Sequence, residues 1–162
     1  MDKPPHDPQH WLWRLEAGAW CQAAARELES GDARVASRRT AVTHARRAAG
    51  MALNGVLVAL GGQLDRMSCE TRWGRSYIDH LRVLASAEAS ARAPMSAEAA
   101  EAARELMKIG PMPERGLVQL QANAHGPARR ALELARAMVR ECEAFVASVA
   151  SVASAAPSDL TN

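Results

Sequence analysis

The chain has 162 residues, enough for one domain with a hydrophobic core. Its composition combines 48% hydrophobic residues with only 4% aromatic ones, and alanine, the best helix former, is the commonest residue. The alternating valine, isoleucine and threonine runs that are typical of strands are almost absent. These features predict an all-α protein without a sheet of consequence, and the net charge of +2 is too small to indicate a partner by itself.

Cysteine usage and hydropathy bear on compartment and cofactors. Cys21, Cys69 and Cys142 are scattered and lack the CxxC spacing of zinc sites, which argues against a disulfide framework and predicts a reducing, cytoplasmic setting. No signal peptide is recognised, and the longest uncharged run, residues 48–64, falls just short of a membrane span. No glycine-rich phosphate loop, HExxH pattern or metal-spaced acidic cluster occurs, so we expect neither a metal nor a cofactor.

The first predicted helix covers residues 9–29. It follows a proline-rich start, residues 1–8, which we expect to be disordered, and Gly31 ends it. Trp13 and Trp20 are seven residues apart and share one face, as is typical of core or interface anchors. The other face carries apolar residues at helical spacing: Leu12, Leu15, Ala19 and Ala23.

The second predicted helix begins at Ser37, an N-cap residue, and ends before the glycines at positions 61 and 62. Its apolar stripe has the spacing of a core-facing helix: Val42, Ala45, Ala49, Leu53, Val56 and Leu60. The beginning of this segment is basic, because no acidic residue lies between Asp32 and Asp65 whereas five arginines do. This window predicts a contact with nucleic acid or with an acidic partner, or else a solvated helix face: Arg34, Arg38, Arg39, Arg46 and Arg47.

Three further helices are predicted after a loop over residues 61–74. Ser76 begins the third, and Ser96 caps the fourth, which ends near residue 109 and carries charges at ion-pair spacing: Glu101 with Arg104, and Glu105 with Lys108. A long connection over residues 110–127 precedes the last helix, residues 128–150, and residues 151–162 are expected to be a disordered tail. Residues 9–150 therefore predict one domain, an up-down bundle of four to five helices. The apolar positions of the third helix are Ile78, Leu81 and Ala85. Those of the last helix are Leu132, Ala135, Val139, Cys142 and Val146.

Several segments, taken together, resemble the HEPN superfamily of small helical bundles. "WLWRLEAGAWCQAAARELESG" is similar to its amphipathic first helix, and "THARRAAGMALNGVLVALGG" to its second. "YIDHLRVL" and "ARRALELARAMVRECEAFV" are similar to its third and closing helices. The resemblance covers residues 9–150 and implies a HEPN-like bundle. It also implies a homodimer that acts with a nucleotidyltransferase, an antitoxin or RNA.

Family members of one kind are metal-independent ribonucleases that use an arginine and a histidine separated by four to six intervening residues. "WGRSYIDHL" places Arg75 and His80 at such a spacing. Ser76 with Asp79 forms a short capping box, which would turn Arg75 back towards His80 at a helix start that favours phosphate. Arginine would then hold a phosphodiester oxygen while neutral His80 takes the 2′-hydroxyl proton. Two positions depart from the toxin-like pattern, which has asparagine after the arginine and tyrosine two residues after the histidine: Ser76 and Arg82.

Two weaker anion sites have similar chemistry. Arg39 and His44 repeat the spacing inside the second helix, where about 140° of rotation separates them, so they predict at most a nucleic-acid contact. His125 precedes the last helix together with Arg129 and Arg130.

Three functions remain open: a HEPN-like binding or dimerisation module, a ribonuclease that uses Arg75 and His80, and an unrelated helical interaction protein. The nucleic-acid contacts expected of a module are Arg38, Arg39, His44, Arg46 and Arg47.

Overall fold

The computed structural model describes residues 11–61, 72–86, 95–112 and 125–155, and the regular elements in these ranges are all helical. The all-α prediction is therefore confirmed for this part of the chain. The predicted disordered start, residues 1–8, lies outside the described residues, as do residues 156–162 of the predicted disordered tail, whereas residues 151–155 of that tail are helical. A short 3-10 helix, Trp11–Arg14, precedes α1 (Ala17–Asp32), α2 (Arg38–Ala59), α3 (Tyr77–Ala85), α4 (Ala97–Lys108) and α5 (Gly126–Ala155).

Helix α2 lies at the centre of the bundle and packs most extensively against α1 and α5, with further contacts to α3. Its predicted stripe is buried at every position except Leu60, which is partly buried because it is the C-cap residue. Burial extends beyond a stripe, since alanines and glycines on its other faces are covered as well. Small side chains let three neighbouring helices approach α2 closely, and that explains how a chain with few aromatic residues fills its core.

The relative directions of the long helices follow from two glycine contacts. A Cβ placed on Gly31, near the end of α1, would lie 2.6 Å from Leu132 Cδ2 and 3.1 Å from His44 Cβ. A Cβ placed on Gly55, near the end of α2, would lie 2.8 Å from the Ala17 carbonyl oxygen at the start of α1. Helices α2 and α5 therefore begin at the end of the bundle where α1 finishes, and α1 runs opposite to both.

The predicted first helix is wrong in its start and its buried face. Residues 11–14 form the 3-10 helix and α1 begins only at Ala17, which puts Leu12 and the rest of the predicted stripe out of phase. Leu12 is fully buried but Leu15 is 38% exposed. The Trp20 indole N–H donates to the Leu12 carbonyl at 2.9 Å, fixing the break between the two elements. The buried face of α1 consists of Cys21, Ala24, Leu28 and Gly31.

The later helices match their predicted positions, except that α5 is longer. Ser37, Ser76 and Ser96 are the N-cap residues of α2, α3 and α4, and each side chain accepts a backbone N–H three residues later. The two predicted ion pairs of α4 form at 2.6 Å and 2.8 Å. Helix α5 continues to Ala155 instead of ending at residue 150, because its alanine, serine and valine residues contain no helix breaker there.

Helix α4 is held at both ends by charged side chains from other helices. At its start, the Ser96 N–H and hydroxyl donate to the Glu141 carboxylate at 2.7 and 2.8 Å. At its end, Arg46 donates to the carbonyls of residues 107 and 109, and Arg38 to that of residue 110. An anion at a helix N-terminus and cations at a C-terminus are the favourable arrangement with the helix dipole. These charges locate α4 against α2 and α5.

None of the helices in the described ranges combines the length and the apolar character that a membrane crossing requires.

Candidate functional site

The start of α3 has the predicted capping geometry. The Asp79 N–H donates to the Ser76 hydroxyl oxygen at 3.3 Å, and the Ser76 hydroxyl donates to Asp79 Oδ2 at 2.8 Å. The Arg75 N–H donates to the same carboxylate oxygen at 3.3 Å. The chain turns at Gly74, whose φ of +81° lies in the left-handed region that favours glycine. The Ser76 hydroxyl is the main cause that lowers the pKa of Asp79, with smaller contributions from the Arg75 amide and from Arg82.

His80 lies in the core, whereas Arg75 lies at the surface. The His80 side chain is 0% exposed, and its Nδ1–H donates to Asn54 Oδ1 at 2.8 Å. Its ring stacks on Trp11, with centroids 5.8 Å apart and an interplanar angle of 17°. In this arrangement no part of the imidazole reaches solvent, so a phosphodiester could approach it only after a rearrangement of its surroundings.

Close packing of α3 on α2 accounts for this burial. A Cβ at Gly50 would lie 2.5 Å from Tyr77 Cβ, so only glycine lets the first residue of α3 rest on α2. Asn54, one turn further along α2, then faces His80. A buried polar residue normally has a hydrogen-bonding partner, and Asn54 and His80 are the two buried polar residues identified in the described core. The histidine therefore joins α3 to α2.

Sequence reasoning missed both core partners of His80. Asn54 carried a usable signal, because it interrupts an otherwise apolar run, residues 48–64, and a polar residue there needs a buried partner. Trp11 carried none. It had been assigned to a continuous first helix, and its stacking depends on the separate 3-10 helix.

The second arginine–histidine pair is also separated. His44 lies 2.9 Å from Glu27 Oε1, measured from Nδ1, and Arg47 Nε lies 3.1 Å from the same oxygen. The side chains of His44 and Glu27 are each 15% exposed. Arg39 is exposed. The predicted nucleic-acid contacts His44 and Arg47 thus bind a carboxylate of α1 and fasten α1 to α2.

The basic window divides into engaged and exposed arginines. Arg38 and Arg46 bind carbonyl oxygens at the end of α4, and Arg47 binds Glu27. Burial, together with the neighbouring charge of Arg82, lowers the pKa of the Arg46 guanidinium. Arg34 and Arg39 remain exposed. The predicted nucleic-acid contacts were four of these arginines and a histidine. Four of those five residues also have intramolecular roles that the sequence did not indicate: Arg38, His44, Arg46 and Arg47.

His125, the remaining predicted anion contact, lies just before α5. Its carbonyl accepts the Arg129 N–H at 2.9 Å and begins the helix. Arg129 and Arg130 are exposed, and the Arg130 guanidinium lies 3.7 Å from the Glu133 carboxylate.

A groove lies at the opposite end of the bundle, between the start of α1, the end of α2 and the second half of α5. We call it the α5 groove. Its volume is about 600 Å³, and small apolar residues form most of its walls, among them Ala17, Gly18, Val58, Val146, Val149 and Ala150. Glu16 and Glu143 are its acidic residues. No charged residue follows Glu143 in α5.

Two cysteines lie beside the α5 groove. Cys21 lines it and is 4% exposed, and Cys142 is fully buried. Both are free thiols. Burial raises the pKa of Cys21 to about 11 and also raises the pKa of Cys142. Because the thiolate is the reactive form, neither is activated for nucleophilic chemistry at neutral pH. Cys69 lies outside the described residues.

Comparisons with protein-family models, curated proteins and solved structures find no match to this chain. Membership of the HEPN superfamily therefore stays a prediction that depends on the sequence segments quoted above.

Proposed function

We propose that this chain is a dimerisation module, in which two copies associate through the α5 groove. The observation that carries the proposal is the groove itself, a mostly apolar concavity at one end of the bundle. Concave apolar surfaces bordered by polar residues are typical of binding sites. This proposal deepens the predicted binding or dimerisation role and leaves the nucleotidyltransferase or antitoxin partner as a prediction.

A second copy fits the groove because of the charge pattern of α5. The last part of this helix, residues 144–155, has no charged residue, so pairing these stretches brings no like charges together, and the two acidic residues of the groove, Glu16 and Glu143, lie outside them. Val146, Val149, Ala150 and Ala153 recur at the spacing of one helical face and already form one wall of the groove. In a two-fold pair the same surface would serve as both wall and occupant, as symmetric dimers require.

Small residues on both sides favour close helix packing. A Cβ placed on Gly18 would meet no atom within 4 Å, so this wall of the groove has room for an approaching helix. Val152 is 74% exposed on the same α5 segment, and a partner could cover part of this apolar surface. Two-fold symmetry makes each contact twice, which brings a small groove closer to the roughly 1,200 Å² that a specific interface usually buries.

The substitution Ala150→Arg tests the proposal. It places a charge on an exposed position that lines the groove, and Ser148→Arg places the same charge on an exposed position of the same helix outside the groove. Light scattering at about 50 µM, an ordinary concentration for a modest interface, should give twice the 17.4 kDa monomer mass for the wild type and for Ser148→Arg. Ala150→Arg should give the monomer mass. A monomeric wild type, or equal effects of both substitutions, would contradict the proposal.

The ribonuclease alternative has a separate test. If His80 were a general base, the protein would cut single-stranded RNA in EDTA and leave 2′,3′-cyclic phosphate ends, and His80→Ala would slow cleavage about 10²–10⁴-fold. Because His80 is buried against Trp11 and Asn54, we expect no cleavage by the wild type or by His80→Ala. Cleavage that depends on both Arg75 and His80 would overturn the assignment of His80 to the core.

A further inference from the structure

The end of the bundle opposite the α5 groove carries a cluster of exposed arginines from three parts of the chain. We call it the arginine end. It consists of Arg34 after α1, Arg39 in the first turn of α2, and Arg129 and Arg130 near the start of α5. These positions share one end because α1 finishes where α2 and α5 begin, as the contacts around Gly31 require. Neither the basic window nor the residues around His125 alone identifies this combination.

Of the acidic side chains nearby, Asp32 and Glu27 are engaged with other cations, whereas Glu29 lines a surface pocket together with Arg34. Asp32 pairs with Arg136 at 2.6 Å, and Glu27 pairs with His44 and Arg47. Glu133 lies 3.7 Å from Arg130, and both side chains are more than half exposed. Within the described ranges, Arg34, Arg39 and Arg129 form no ion pair with an acidic side chain. Three guanidinium groups are therefore available to an external anion.

We infer that the arginine end binds the phosphate backbone of duplex nucleic acid without regard to sequence. Guanidinium groups form paired hydrogen bonds with phosphate oxygens, and phosphate contacts position a protein without reading bases. Single-strand binders usually add aromatic residues on which bases stack. The segments that build this end, residues 26–47 and 125–136, contain no phenylalanine, tyrosine or tryptophan, which favours a duplex over a single strand.

The inference is independent of the dimer proposal, because the arginine end and the α5 groove lie at opposite ends of the bundle. An acidic protein segment is the competing partner, and its binding is an outcome of the test.

The test compares two triple variants with equal loss of charge. Arg34→Gln, Arg39→Gln and Arg129→Gln alter the arginine end, whereas Arg14→Gln, Arg72→Gln and Arg140→Gln alter exposed arginines elsewhere. Fluorescence anisotropy would use the full chain with 20-base-pair duplexes of RNA and of DNA, the single strands, and a polyglutamate peptide. Circular dichroism would confirm that both variants fold, and light scattering would confirm that their mass equals that of the wild type.

We expect the wild type to bind duplexes more tightly than single strands or polyglutamate, with affinity that falls steeply with salt. The arginine-end variant should bind about tenfold or more weakly at low salt, and its log–log salt slope should fall by about 2–3, near 0.9 for each lost phosphate contact. The control variant should retain most of the affinity and slope. If duplex RNA and duplex DNA bind equally tightly, the protein recognises the phosphate backbone of either duplex. If duplex RNA binds more tightly, the protein recognises the backbone in its A-form geometry. Equal losses in both variants, tighter binding of single strands or polyglutamate, or no wild-type binding would overturn the inference.

Discussion

The sequence contains the same spacing twice, an arginine followed five residues later by a histidine, and the two copies fold into different environments. His80 follows Arg75 at the start of α3 and is fully buried against a neutral amide and an indole. His44 follows Arg39 inside α2 and lies near the surface, where it shares a carboxylate with Arg47. In both copies the first arginine is exposed.

The difference teaches that sequence spacing fixes the position of a residue along the chain and leaves its surroundings open. The surroundings of each histidine are set by a residue from another helix, Asn54 for His80 and Glu27 for His44. Neither partner could be identified from the five-residue spacing. In both cases the histidine joins two helices, although its partner and its exposure differ between the two sites.

Removing each imidazole in turn should lower the stability of the protein by different amounts, and this is the largest expected effect. His80→Ala empties a fully buried site and leaves Asn54 without its hydrogen bond, so we expect it to lower the free energy of unfolding by about 3 kcal/mol. His44→Ala removes a partly exposed contact, and Glu27 keeps Arg47, so we expect a loss of about 1 kcal/mol. Urea unfolding followed by circular dichroism measures both changes. Equal losses would mean that burial does not distinguish the two histidines.

A double-mutant cycle sharpens the assignment of Asn54 as the partner of His80. Each of the single variants Asn54→Ala and His80→Ala should destabilise the protein, and the double variant should lose about 1 kcal/mol less than the sum, because either change alone already removes the shared hydrogen bond. The matched cycle pairs Asn54→Ala with His44→Ala, which share no contact and should add. Additive losses in the first cycle would exclude an energetic link between Asn54 and His80.

The smallest expected effect concerns the cap that precedes His80. The folded-state pKa of Asp79 is lowered chiefly by the Ser76 hydroxyl, so the ionised carboxylate contributes stability above its unfolded pKa and loses it as pH falls through the lower folded value. Asp79→Asn should cost about 0.5–1 kcal/mol at pH 7, the usual range for a capping contact. The difference from the wild type should shrink below the ordinary pKa of 3.8. Thermal unfolding between pH 2 and 7 would detect it, and a difference that grows towards low pH would show that the sign is wrong.

Local features of the fold were predictable from the sequence, whereas features that depend on distant residues were not. The caps at Ser37, Ser76 and Ser96 follow from short-range hydrogen bonds, and the stripe of α2 follows from helical periodicity. The break before Ala17 was missed because the residues on both sides of it have helical spacing, and the hydrogen bond from Trp20 to Leu12 that fixes the break is not a periodic signal.

The candidate sites were less predictable for the same physical reason. Arg46 was expected to face a ligand, but it binds carbonyls 61 and 63 residues further along the chain. The α5 groove was not predicted, because its walls come from the start of α1, the end of α2 and the second half of α5, which are distant from one another in the sequence. The sequence did contain one usable signal, the charge-free stretch after Glu143.

Hydrogen exchange at two protein concentrations tests the central claim, self-association through the α5 groove, most directly. At about 1 µM and about 100 µM, concentrations on either side of a modest affinity, amide exchange would be compared between residues 146–153 and helix α4. Dimerisation should slow exchange in residues 146–153 at the higher concentration, because a partner helix covers that face. Helix α4, outside the groove, should exchange equally at both concentrations. Exchange in residues 146–153 that does not change with concentration, together with a monomer mass at 100 µM, would contradict the account.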